Sequence, residues 1–213
     1  MDLEKKEKLI RRIVEERGKD ALPTLLRLLG DEDPEVREIV SEAFRLLGDD
    51  AREFLYAELL KRWRKGIEKN NVALLYIVDI LGDLGEKRME KILLDMLSKY
   101  DVEEALLVIY EALAKIGRGE KFLPYLEYLL FEDSYRKELC EQVAMVLANI
   151  DSEKSVDLLL RALDDDTFSE KNKEFFLKAI FLLITRNPSF VRYIVEKGRE
   201  DVMDKIRKLG DTT

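Results

Sequence analysis

Residues 20–50 read DALPTLLRLLGDEDPEVREIVSEAFRLLGDD. Leu22, Leu25, Leu26 and Leu29 recur at the three- and four-residue spacing that places side chains on one face of a helix. Gly30 stops that helix, and Asp31, Glu32 and Asp33 make a corner. Pro34 opens a second helix, where its missing N–H costs nothing. Val36, Val40, Ala43, Phe44 and Leu47 form the second apolar face, and Gly48 is the stop. The unit is thus a pair of helices joined by a tight corner.

The rest of the chain restates it. Residues that end each second helix recur as Gly18, Gly48, Gly85, Gly117, Asp151 and Asn187, at spacings of 30, 37, 32, 34 and 36. Four positions before them stand Val14, Phe44, Leu81, Leu113, Leu147 and Leu183. Five before stand Ile13, Ala43, Ile80, Ala112, Val146 and Leu182, and eight before stand Ile10, Val40, Ile77, Ile109, Val143 and Ala179. All eighteen are apolar in a chain that is 46% hydrophobic, so the register is not accidental, and these columns are the expected core. First helices recur as Leu25-Leu26, Leu55-Tyr56, Ile92-Leu93, Leu158-Leu159 and Ile194-Val195, with Arg118-Gly119 lengthening one corner. Val72 to Val78 reads as a buried helix segment.

The opening unit resembles a HEAT repeat, in the variant known as PBS-lyase HEAT-like repeats. The resemblance rests on Pro23 in the first helix, Asp31 at the corner and the Val36-Arg37 pair in the second helix. It implies an all-α, right-handed α-α superhelix, a ladder between the corner aspartate and the basic residue of adjacent repeats, and second helices lining a concave groove. Only this unit carries the full signature. The expected layout is one domain over 1–213 with about twelve helices. It comprises an N-terminal cap helix (1–18), five helix pairs (19–187) and a C-terminal cap (188–213) whose last residues, Asp211-Thr-Thr, fray.

The 213 residues carry a net charge of −8, which argues against a general nucleic-acid binder. Residues 1–17 and 189–213 are nearly balanced, so the acidity belongs to the repeats. The single cysteine, Cys140, forms no internal disulfide and suits a reducing, cytoplasmic setting as a small core residue. No signal peptide is visible and no apolar run approaches the ~20 residues that span a bilayer. A charged content of 38%, rich in Glu and Lys, fits a thermophilic source.

Histidine is absent. That excludes Ser-His-Asp and Cys-His nucleophilic sites and any histidine-bearing zinc site. It also excludes the iron site that deoxyhypusine hydroxylases, a HEAT-repeat family, build from paired His-Glu motifs. No GxxxxGK[ST] or GxGxxG occurs, so no phosphate cradle is expected. The clusters Asp31-Glu32-Asp33 and Asp164-Asp165-Asp166 sit at corners, where acids cap the next helix. No catalytic residue, cofactor or metal is expected.

The second helices carry a stripe of exposed character. It includes Glu38, Glu42, Leu75, Asp79, Leu107, Glu111, Glu141 and Met145, with a further apolar pair in Leu177 and Phe181. Carboxylates around exposed apolar residues are what a basic or amphipathic protein segment needs. The reading is a non-catalytic protein-interaction scaffold with such a partner on an acidic groove. Two alternatives stand beside it. One is an enzyme-associated role like that of the PBS-lyase relatives or of HEAT-like arrays acting on damaged DNA bases. The other is nucleic-acid binding through Lys61-Arg62-Trp63-Arg64-Lys65, whose bland reading is a helix C-terminus with Trp63 turned to the core.

Overall fold

The computed structural model describes the backbone of residues 3–210 and the side chains of residues 8–208; the Asp211-Thr-Thr tail lies outside the described residues. The helices are α1 (Leu3–Arg17), α2 (Leu22–Leu28), α3 (Pro34–Lys65), α4 (Val72–Asp83), α5 (Glu90–Met96), α6 (Glu103–Lys115), α7 (Leu123–Phe131), α8 (Asp133–Ala148), α9 (Glu153–Asp164), α10 (Glu170–Arg186), α11 (Ser189–Glu196) and α12 (Glu200–Gly210). Short 3-10 turns lead into α2, α5 and α7, and no strand occurs among the described residues. The expected all-α fold of helix pairs is the one observed.

Helix starts follow local chemistry. Asp33 accepts the Glu35 N–H at 2.8 Å ahead of α3, and Asn71 accepts the Leu74 N–H at 3.1 Å ahead of α4. Ser169 and Asn172 close a capping box on α10. The Asp164–Asp166 cluster departs from expectation, because Ser169 takes the helix end. Asp165 instead accepts the Thr167 N–H at 2.8 Å and folds the corner itself.

Helix stops follow the markers. After α6, the Arg118 N–H reaches Leu113 O at 2.7 Å and the Gly117 N–H reaches Ala114 O at 2.9 Å. This paired cap needs the left-handed φ of +78° that Gly117 supplies. Gly48 does something different. At φ 58° and ψ −124° it breaks the helical path inside α3, so a second helix and the following first helix join with no loop between them. The two non-glycine markers are linked to each other, with Asn187 Nδ2 donating to Asp151 Oδ1 at 2.7 Å.

The chain forms two compact units, residues 1–112 and 113–213. In the first, α1 and α2 pack on α3, and α3 packs on α4. In the second, α7 pairs with α8, α9 with α10 and α11 with α12. There α8 also packs on α10 and α10 on α12, while α7 packs on α9 and α9 on α11, so like helices stack on like.

Fifteen of the eighteen column residues are buried. The exceptions are Ile13 and Val14 on α1, which are half-buried, and Leu182 on α10, which is exposed. As the first helix of the described residues, α1 has its column covered from one side only. Val72 is also 57% exposed, against the expectation of a fully buried 72–78 segment, because it is the first residue of α4 and lies on its outer face.

Gly119 has a packing role that its place in a lengthened corner did not reveal. A Cβ there would lie 2.6 Å from Ile150 Cγ1 and 2.9 Å from Ala114 Cβ. Gly119→Ala is expected to cost about 1–3 kcal/mol as overpacking. Leu113→Ala, at a fully buried column position, is expected to cost about 2–5 kcal/mol. Urea denaturation followed by circular dichroism measures both; a loss under about 0.5 kcal/mol for Leu113→Ala contradicts the register.

Candidate functional site

A groove of about 340 Å³ opens in the first unit, lined by Val72, Leu75, Tyr76 and Asp79 of α4 and by Val108 and Glu111 of α6. Its floor is apolar and two carboxylates flank it. Among the candidate residues, Leu75, Asp79 and Glu111 therefore come together. Leu75 is half-buried, as expected of a partly accessible anchor.

Leu107 does not belong to the groove. It is 0% exposed, and the exposure expected of it is corrected. Leu107 therefore lies on a covered side of α6. One residue on, a 100° turn carries Val108 to the outer side, in line with Glu104 and Glu111 at helical spacing. Val108 and Tyr76 are the groove residues that a fixed offset from the markers missed. The spacing of Glu104, Val108 and Glu111 was the available signal.

Glu42 joins from α3 through a residue that sequence reading passed over. Arg45 Nη2 lies 2.8 Å from Asp79, Nε lies 2.6 Å from Asp83, and Nη1 lies 3.7 Å from Glu42. Burial opposes the Arg45 charge, but Asp83, Asp79 and Glu42 outweigh it and raise the pKa further. Glu38 is exposed on α3 and does not line the groove. Glu141 and Met145 lie on α8 of the second unit, both half-buried, with Glu141 Oε1 3.0 Å from Lys171 Nζ. Leu177 is largely buried and Phe181 is 42% exposed on α10.

The expected ladder takes another form. Arg37 donates through Nη1 to the main-chain carbonyls of Asp31 and Glu32, and through Nε to Tyr76 Oη at 3.0 Å in the next repeat. The Asp31 carboxylate accepts the Asp33 N–H instead. Arg37 thus braces the corner and the groove-lining Tyr76 together.

Within the basic run 61–65, Lys61, Arg62 and Trp63 have partners in the chain, while Arg64 and Lys65 are exposed. Glu58 accepts from Arg62 at 2.8 Å and from Lys61 at 3.2 Å; these two contacts outweigh its partial burial and hold its carboxyl below the ordinary range. Trp63 is half-buried rather than turned wholly to the core, and its indole N–H donates to Asp95 at 2.9 Å, since a wet ring edge lets that donor find a partner. Cys140 is 1% exposed, and burial pushes its thiol pKa up. Among the described residues, no group of three or more acidic or cysteine side chains is placed to hold a metal ion, and no helix is long and apolar enough to cross a membrane.

Among the described residues the most buried charge is Glu86, 3% exposed at the corner after Gly85. It accepts from the Arg88 side chain at 2.8 Å and from the Arg88 N–H at 2.9 Å. Arg88 also reaches Glu53 at 2.7 Å and covers the Tyr56 ring at 4.3 Å.

A family model of the HEAT repeat matches residues 21–50, which form α2 and the first part of α3. No curated protein and no solved structure matches the chain.

The Arg88 hydrogen bond is the leading cause that holds the Glu86 carboxyl below its ordinary value, against burial. A carboxylate depressed in the folded state stabilises above its unfolded pKa of about 4.3 and loses that contribution as pH falls through its folded value. Glu86→Gln is therefore expected to cost about 1–3 kcal/mol near neutrality. The gap to the native protein is expected to close as pH falls below the ordinary glutamate range. Urea melts across a pH series measure this, and a gap that widens in acid contradicts it.

Proposed function

We propose that this chain is a non-catalytic protein-interaction scaffold, and that the groove of its first unit receives a basic, amphipathic segment of a partner protein. The observation that carries the reading is the groove itself: Val72, Leu75, Tyr76 and Val108 form an apolar floor beside the carboxylates of Asp79 and Glu111. The HEAT repeat match to residues 21–50 supports the same class of role. So does charge: residues 1–112 hold 20 basic and 26 acidic side chains, and residues 113–213 hold 17 and 19, so the first unit carries most of the acidity. In the second unit the reading extends to Glu141 and Met145. A reducing, cytoplasmic setting belongs to it as well, supported by the single, buried Cys140.

Apolar anchors would supply most of the affinity, and the carboxylates would set the rate of encounter. A fluorescein-labelled amphipathic helix of lysine and leucine serves as probe. Glu111→Lys is expected to slow association and flatten its salt dependence, with folding stability within about 0.5 kcal/mol of the native protein. Leu75→Ala together with Val108→Ala is expected to speed dissociation. Binding that ignores both changes overturns the proposal. A mixed DNA or RNA probe tests the basic run. Lys61 and Arg62 are paired with Glu58, and changing Arg62 and Arg64 to Gln is expected to leave binding of that probe unchanged. Micromolar nucleic-acid binding at physiological salt that this variant abolishes would favour the other reading.

A further inference from the structure

We infer that Arg45 is a specificity-determining residue: held among the carboxylates of Glu42, Asp79 and Asp83, its guanidinium sets the negative field that a basic segment meets at the groove. The inference rests on the proposed binding of such a segment there.

Two of the three contacts cross from α3 to α4, at 2.8 Å to Asp79 and 2.6 Å to Asp83. Asp79 also lines the groove, so one carboxylate faces both the internal cation and any arriving one. Arg45 therefore competes with the partner's lysine or arginine for Asp79. Removing the guanidinium makes the local charge more negative by one unit, whatever else surrounds it. The Arg45, Asp79 and Asp83 side chains are each 29% exposed, so solvent screens the change without erasing it. For partly exposed charges of this kind the effect on affinity is about two- to fivefold. It should appear in association more than dissociation, because charge at a rim steers encounter.

The segment so recognised is an amphipathic helix with cations along one edge. A cation-poor apolar segment would not register the change in Arg45.

The test uses the full chain and the lysine–leucine helix, in stopped-flow association and anisotropy at low and physiological ionic strength. Arg45→Gln is expected to bind about two- to fivefold tighter, through faster association with a steeper salt dependence. Arg45→Lys keeps the charge but loses the planar fork, and is expected to match the native protein. Asp83→Asn removes a negative charge at a position that does not line the groove, and is expected to weaken binding by a similar factor. Unchanged association in Arg45→Gln, while Leu75→Ala with Val108→Ala still weakens native binding, overturns the role of Arg45 and leaves the groove standing. Arg45→Lys behaving like Arg45→Gln assigns the effect to geometry and overturns the role too. Native protein that shows no groove-dependent binding overturns both. Should Arg45→Gln lose its helical circular dichroism, Asp83→Asn decides alone, and unchanged kinetics there overturns the inference.

Discussion

A helix pair in this chain has more apolar surface than its own two helices can cover, and the uncovered part must go against the next pair. In the second unit this is visible as first helices packed on first helices and second on second. Polar contacts obey the same spacing. Tyr100 to Asn71, Trp63 to Asp95, Arg161 to Glu127, Tyr193 to Asp157 and Arg37 to Tyr76 join residues 29 to 39 apart. Each spans about one repeat, so these side chains clamp a pair to its successor. Stability in such an arrangement is the sum of repeat and neighbour terms, and a single pair has no stable form alone.

The clamps also determine what charge remains at the surface. Arginine dominates them, because its planar fork serves two acceptors at once. Arg45 takes Asp79 and Asp83, Arg88 takes Glu86 and Glu53, and Arg199 takes Asp164 and Asp201. Asp79, Asp83, Glu53 and Asp164 lie about one repeat from their arginine and so hold repeats together, while Glu86 and Asp201 pair locally. A count of acidic residues along a helix face overstates the field at the surface, and the groove is better described by its apolar floor with a modest acidic border.

The fold was legible because helix stops have a fixed chemistry. Gly48, Gly85 and Gly117 take left-handed backbone conformations that other residues avoid, and counting back from them found Phe44, Leu81 and Leu113 in the interior. The site was legible only in part. The offset that leaves Leu75 half-buried leaves Leu107 at 0% exposure, so a fixed distance from a stop does not give the depth of burial from one pair to the next, and Val108 lines the groove instead. Arg45 was passed over because its partners are 34 and 38 residues away, and local patterning carries no such information. Trp63 and Asp165 show the limit from the other side: each has a polar atom that found a partner specific to this chain, where the general rule offered a more common fate.

The junction at Gly48 has a consequence for how this chain tolerates length change. Corners such as residues 66–71 contain exposed non-helical backbone that can absorb an extra residue. Gly48 has no such slack: helix runs directly into helix on both sides of a single turning residue. One residue added there would rotate the following helix by about 100° and carry Ala51, Leu55 and Leu59 off the interior face together. The separation of Phe44 from Leu55 is therefore fixed by geometry, whereas a corner such as 66–71 has non-helical residues to take up the change.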